Sequence, residues 1–231
     1  MVQQSEPSIN KQLISTMVQI LKAKVLGHIA KGAYGHVYHV KKHDIKKEFA
    51  MKVLYKSQLI AENGVEQVKL EVTIQSMCGH HPFVVNCLYF WQSRKKIFIV
   101  SEYMPGGELL GLWQQYGALP EPLVQLYIAE LALALDFLHN AGIIFRDLKL
   151  ENILLNERSH VKLIDFGMAK WLKIGERTHT LCGTIHYMAP ELMRLMPYGH
   201  AVDWWALGII AYCLLDGQVG DRPRCSQGLC N

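Results

Sequence analysis

The hydrophobic period changes once along this chain, and that change restricts it to an antiparallel sheet followed by a helical body. From residue 25 to about 103, runs at 35–40, 48–54 and 97–102 are rich in Val, Ile, Phe and Tyr and are separated by Gly and Lys turns, which predicts strands. Between the second and third runs, Val65, Val68, Val72 and Ile74 recur at helical spacing within residues 62–77, so one helix interrupts the sheet. From Pro120 onward, Leu123, Leu126, Tyr127, Leu131, Ala134, Leu135 and Leu138 mark one face of a helix, with prolines at its start and Gly142 beyond its end. Residues 103–119, with Pro105, Gly106, Gly107 and Gly111, read as the connection, and ligand sites favour such junctions. The last stretch, 216–231, has no period that builds a helix or a strand.

Half of the 231 residues are hydrophobic, and 24 Lys and Arg against 20 Asp and Glu leave a formal charge of +4. That balance excludes a disordered polyelectrolyte and is too diffuse to argue for nucleic acid. Lys41, Lys42, Lys46 and Lys47 do cluster, and they read as a solvated hairpin. The cysteines, Cys78, Cys87, Cys182, Cys213, Cys225 and Cys230, form no Cys-x-x-Cys pair and have no zinc-like His spacing, so reduced thiols are expected. The polar first ten residues lack the order of a signal peptide, and the greasiest run, 204–215, is too short to span a bilayer. The expected location is the cytosol or nucleus.

Three segments carry chemistry. Gly32 and Gly35, in Gly32-Ala33-Tyr34-Gly35-His36-Val37, allow a backbone to approach phosphate oxygens without a Cβ in the way, although alone the pair fits a hairpin turn better. Lys52, in Phe49-Ala50-Met51-Lys52-Val53, is a cation among apolar neighbours and needs an anion, which Glu71 on the helix or nucleotide phosphates supply; a surface-edge lysine is the other reading. The strongest signal is Ile144-Phe145-Arg146-Asp147-Leu148-Lys149-Leu150-Glu151-Asn152 followed by Leu163-Ile164-Asp165-Phe166-Gly167. Asp147 accepts a hydroxyl proton, Lys149 balances charge on a transferring phosphoryl group, and Asn152 with Asp165 offers hard oxygen ligands suited to Mg²⁺.

On these residues the stretch from about 25 to 216 resembles the catalytic domain of a eukaryotic protein kinase. The resemblance implies a bilobal α+β fold: an antiparallel β N-lobe with one main helix over residues 25–103 and a mainly helical C-lobe over 104–215. An extension, 1–24, precedes them and a divergent tail, 216–231, follows. It implies ATP and Mg²⁺ as cofactors. Ile29, Ala30, Lys31, Gly32, Ala33, Tyr34, Gly35, His36 and Val37 fall on the loop that covers ATP, Lys52 on the phosphate-holding lysine and Glu71 on its helix partner. Val37, Ala50 and Leu154 fall where the family sandwiches adenine, and Glu102 and Met104, in Ser101-Glu102-Tyr103-Met104, on the hinge that reads the base edge through its backbone. Asp147 matches the catalytic base, Lys149 the serine/threonine-type lysine, Asn152 and Asp165 the metal ligands, and Asp203 the aspartate that braces the catalytic loop. Thr184, in Gly183-Thr184, supports the serine/threonine type.

Phe145, Thr180-Leu181-Cys182-Gly183-Thr184 and His81-Pro82-Phe83 look like the AGC group, near its ribosomal-protein kinase-related branch. Within that resemblance Thr180 is the phosphosite for an upstream kinase, gripped by Arg146 and Lys170, with Gln67 where a third cation usually stands. Glu108 and Glu151 fall where basophilic members read upstream arginines, so the expected partners are proteins with Ser or Thr after basic residues, with no nucleic acid and no membrane span. Three departures stand out. Ala30 replaces the first glycine of the loop, at a cost of about 1 kcal/mol if that position needs positive φ. Gln75 falls at a usually apolar position one helical turn after Glu71, and the family's later helices are replaced by residues 216–231. That ending suggests an incomplete C-lobe, a splice variant or truncated product, and an exposed apolar face on 204–215. The competing reading is a catalytically impaired kinase-like scaffold acting through binding.

Overall fold

The computed structural model describes residues 23–32 and 34–217. Ala33, most of the N-terminal extension and the tail from residue 218 lie outside them. The chain forms two compact units, one of residues up to 64 with 87–103, the other of residues 65–86 with 104 onward.

The first unit is an antiparallel sheet of strands β1 (Ala23–Gly32), β2 (Gly35–Lys42), β3 (Glu48–Tyr55), β4 (Cys87–Gln92) and β5 (Lys96–Glu102), in the order β1-β2-β3-β5-β4. Alternation along β3 sends Phe49, Met51 and Val53 to one face, where they join Tyr38, Val40, Phe98 and Val100 in a core. The lysine-rich hairpin is solvated as expected and locally partnered: Lys41 donates to Glu48 at 3.0 Å, and Lys42 sits 5.5 Å over the Tyr89 ring. Strand β4, with Tyr89 and Phe90 exposed, had no clear period in the sequence because it is an edge strand with little to bury.

After β3 come two helices, α1 (Lys56–Ala61) and α2 (Val65–Cys78). Asn63 is left-handed, with φ 54°, and Gly64 lies so close to the Tyr34 ring that a Cβ there would sit 2.7 Å from it, so the chain breaks at this point. The short α1 was not separated in the sequence pattern. Helix α2 is the main helix, and it packs with the second unit. Its buried face is Val68, Glu71, Ile74, Gln75 and Cys78, whereas Val65 is exposed, so two polar residues take places that periodicity assigned to valines.

The second unit is built around α4 (Glu121–Asn140), preceded by α3 (Leu109–Tyr116). Val124, Tyr127, Leu131, Ala134, Leu135 and Leu138 of α4 are buried, while Leu126, expected on that face, is 43% exposed. Among the described residues α4 is the helix long and apolar enough to cross a membrane by length and composition. Its core residues pack inside this unit, and its buried Glu130 accepts from Val161 N–H at 3.0 Å and from the His160 ring. Small pairings β6 (Ile143–Ile144) with β9 (Lys170–Trp171) and β7 (Ile153–Leu155) with β8 (Val161–Leu163) flank residues 145–152. Helix α5 (Pro190–Met193) precedes α6 (Ala201–Asp216). Leu119 N–H bonds Leu214 O at 2.7 Å and Trp113 Nε1 bonds Cys213 O at 2.9 Å, which fastens α6 to the segments around α3. Trp204, Trp205, Tyr212 and Leu215 are exposed on α6, as its sequence suggested.

Candidate active site

In the first unit, strand register assembles a second face opposite the core. Ala30 pairs with Val37, Val37 with Lys52 and Lys52 with Ile99, and directly opposed residues of an antiparallel sheet point the same way. Ala50, two residues from Lys52, shares that face. Val37, Ala50 and Lys52 are all half-buried, so the lysine stands on a partly open surface and not within a buried strand. Lys31 pairs with His36 on the other side, and Glu102, paired with Phe49, also points away from Ala50. The Tyr34 ring lies against Gly64, and Ile29 is exposed beside an irregularity in the β1–β2 register. Ala33 lies outside the described residues.

The glycines of the turn are not equivalent. A Cβ on Gly35 would stand 1.9 Å from Val53 O, whereas one on Gly32 would have Gly35 O, at 4.0 Å, as its nearest neighbour. Gly35 is therefore demanded by strand pairing, a reason the motif alone does not reveal. Gly35→Ala is expected to cost about 3 kcal/mol, since backbone blocks the new atom. Gly32→Ala should shift stability by under about 0.5 kcal/mol in the same urea titration. Ala30 has no positive φ, so the penalty attached to its departure does not arise from the backbone.

The second unit holds a tight polar cluster. Asp147 Oδ2 accepts from Lys149 Nζ at 2.7 Å and from Asn152 Nδ2 at 3.1 Å, and Asp147 Oδ1 accepts from Thr184 Oγ1 at 2.8 Å. Lys149 Nζ also reaches Thr184 Oγ1 at 3.2 Å, which closes the network. Asp147 is 6% exposed, so these bonds position a carboxylate in a setting with little water. Thr184 entered the sequence reading only as a marker of type; that it touches Asp147 has no local signal, because 37 residues separate them.

The loop carrying Asp147 is held from α6. Asp203, 1% exposed, accepts from Phe145 N–H and His139 Nε2 through Oδ2 and from Arg146 N–H through Oδ1, each at 2.8 Å. This grip keeps Arg146 left-handed, with φ 70°. The bracing role read from the sequence has its geometry here.

Asn152 is buried, and its Nδ2 also donates to Asp147 O at 2.9 Å, which leaves Oδ1 as its accepting atom. Ile164 N–H bonds Asn152 O at 3.0 Å and so fixes the residue next to Asp165. Asp165 is left-handed, with φ 62°, and exposed, and its Oδ1 accepts from Gly167 N–H at 3.3 Å. Asn152 Oδ1 and the Asp165 carboxylate are hard oxygens of the kind a divalent cation takes.

Glu71 and Gln75 are both buried on α2, which packs on the turn at Phe166–Met168. The side chains with a fully buried, unpartnered polar atom among the described residues are Trp91, Glu151 and His200. Met104 is buried, and Leu154 is half-buried on β7. The side chain of Thr180 is exposed. Arg146 is engaged with Met168 O at 2.6 Å and Ala169 O at 3.3 Å, and Lys170 with Thr178 Oγ1 at 2.8 Å, so neither expected phosphate ligand holds Thr180 in this state.

Partial desolvation first, and Glu151 second, push the Glu108 carboxyl above its ordinary pKa. Burial and then Glu151 push Tyr187 up to about 12. Glu151 Oε2 is buried with no partner.

Residues 23–221 match the protein kinase domain, and the chain belongs to that family. It is 43% identical over 195 residues to the ribosomal protein S6 kinase-related protein of Homo sapiens, covering 84% of this chain and 47% of that one. It is 44% identical over 194 residues to protein kinase 2 of Dictyostelium discoideum, with 84% and 40% covered. With the atypical protein kinase C of Drosophila melanogaster it shares 37% over 214 residues, with 92% and 34% covered. The chain thus spans less than half the length of these relatives. They agree with the AGC resemblance carried by Phe145 and residues 180–184. A protein kinase domain uses ATP and a divalent metal ion.

Proposed function

We propose that this chain is a serine/threonine protein kinase unit that transfers the γ-phosphoryl group of ATP to Ser or Thr hydroxyls of proteins. The observation that carries this reading is the Asp147 carboxylate, buried and held by Lys149, Asn152 and Thr184. In the proposed reaction Asp147 accepts the hydroxyl proton as the substrate oxygen bonds to the γ-phosphorus. The bond from that phosphorus to the β–γ bridging oxygen breaks, and ADP leaves. Lys149 offsets the charge that develops on the transferring group. Asn152 Oδ1 and the Asp165 carboxylate would hold Mg²⁺, which would supply positive charge to neutralise phosphate oxygens. In the first unit the face of Ala30, Val37, Ala50 and Lys52 takes the nucleotide, with Lys52 as the cation for its phosphates.

The test is transfer of labelled phosphate to a Ser/Thr peptide, with Asp165→Ala alongside. Transfer should require Mg²⁺ and disappear in the variant, whose unfolding midpoint should fall by only about 2–4 °C, the cost of a left-handed alanine and the lost bond from Gly167 N–H. Transfer that survives the substitution in a clean preparation would remove Asp165 from the metal site.

The preferred peptides carry basic residues before the target, read by Glu108 and Glu151. Because Glu108 has a raised pKa, it is partly protonated at pH values where an ordinary carboxyl is ionised. A bound cation lowers that pKa, so peptide affinity should rise with pH through the range just above the ordinary carboxylate value and then level off. An arginine-to-alanine peptide should lose that dependence. Thr180 is proposed as the phosphosite of an upstream kinase, and Arg146 and Lys170 must exchange their present partners to reach it. The proposed location is the cytosol or nucleus.

A further inference from the structure

Phosphoryl transfer makes no use of a pair of imidazoles on the β1–β2 hairpin. His28 Nε2 and His36 Nδ1 stand 3.1 Å apart, with ring centroids at 5.2 Å and planes at 62°. The pair arises from register: His28 is opposite Tyr38, and His36 lies two residues before Tyr38 on the same strand, so both rings fall on one side of the hairpin. Tyr38 and Tyr55 approach His36 edge-on or tilted, at centroid distances of 6.2 and 6.4 Å, and Tyr38 lies 5.5 Å from His28. The rings therefore stand on a paired backbone with aromatic neighbours that restrict their rotation. His28 is exposed and His36 half-exposed, so a solvated ion has access to both nitrogens.

We propose that His28 and His36 form a two-imidazole chelate for a borderline divalent cation, Zn²⁺, Ni²⁺ or Cu²⁺, fastening β1 to β2 beside the glycine turn. Metal–nitrogen bonds of about 2.0–2.1 Å meeting at roughly 90–110° require donor nitrogens about 2.9–3.4 Å apart, and the observed separation lies inside that interval. A hard cation of the Mg²⁺ class prefers oxygen and would not select this pair. Only neutral imidazole ligates a metal, so binding should weaken as the pH falls through the histidine range. At present one nitrogen of the pair donates a proton to the other. On binding, that ring carries its proton on its other nitrogen and the two rings turn so that their lone pairs converge on one ion, without net proton release. No group of three or more His, Cys, Asp or Glu side chains suited to a metal gathers among the described residues, so water completes the coordination shell. Lys31 faces the site as a like charge and weakens it, while Tyr38 and Tyr55 add no charge at neutral pH.

The test is titration of the full chain with Cu²⁺ and Zn²⁺ at pH 7.5, followed by calorimetry, with His28→Gln, His36→Gln and a His43→Gln control. One site per chain is expected, tighter for Cu²⁺ than for Zn²⁺. Either substitution in the pair should weaken it at least tenfold, and the control should leave it unchanged. A second readout uses the unaltered chain. Ni²⁺ should broaden amide signals of β1 and β2 around residues 27–37 before any others, and Zn²⁺ should raise the unfolding temperature. Broadening that begins at another histidine, or single substitutions that change affinity less than twofold, would overturn the assignment. None of these readouts depends on phosphoryl transfer, so the chelate and the kinase reading fail separately.

Discussion

Asp147→Asn is expected to lower kcat about 10²–10⁴-fold while leaving ATP affinity within about twofold. The substitution keeps shape and volume: the amide oxygen takes the place that accepts from Lys149 and Asn152, and the amide nitrogen donates to Thr184 Oγ1, whose hydroxyl turns to accept. What it removes is the group that accepts the hydroxyl proton, because an amide has no useful basicity. Loss in kcat without loss in nucleotide binding is the signature of a contribution made in the transition state. Steady-state kinetics with a Ser/Thr peptide, beside a nucleotide titration, measure the two quantities. A fall in kcat of less than tenfold would assign proton acceptance elsewhere. Thr184→Ala provides a graded companion, since Asp147 then loses one of three hydrogen bonds and keeps its charge, so a smaller loss is expected.

Asp203→Ala should destabilise the second unit by about 3–5 kcal/mol, because the removed carboxylate leaves Phe145 N–H, Arg146 N–H and the His139 ring without their buried acceptor. For a chain of this size that corresponds to a fall of about 10 °C in the unfolding midpoint. The left-handed conformation of Arg146 then lacks its constraint, so transfer activity should drop along with stability. His139→Ala separates the contributions. It leaves both backbone bonds to Asp203 intact and should cost less than half as much in the same melting experiment. Equal losses in the two variants would mean that the ring, and not the grip on the backbone, supplies the stabilisation.

Much of the chemistry was legible because it is local. Asp147, Lys149 and Asn152 lie within six consecutive residues, so one turn of chain at the Leu150–Asn152 helix brings them together whatever surrounds it. Lys52 shows itself as a lone cation on a strand, and register then places Val37 directly opposite. The same locality misled where a residue's neighbours come from elsewhere. Valines at 65 and 72 suggested a buried face for α2, yet the face that packs carries Glu71 and Gln75, because partners from distant segments decide which side of a helix is worth burying. Leu126 is exposed on α4 for the same reason.

The alternation that makes a sheet, the 3.6-residue period that makes α4 and the nearness of Asp147, Lys149 and Asn152 are all written locally in the chain. Those properties depend on backbone geometry over a few residues. Folding in three dimensions is what brings Thr184 to Asp147, Asp203 to a loop 57 residues away, Val53 O against Gly35, and His28 to His36. Each of these is a contact between atoms that no local rule brings together. Packing selects them, because a buried donor or acceptor without a partner costs more than the ordering needed to supply one.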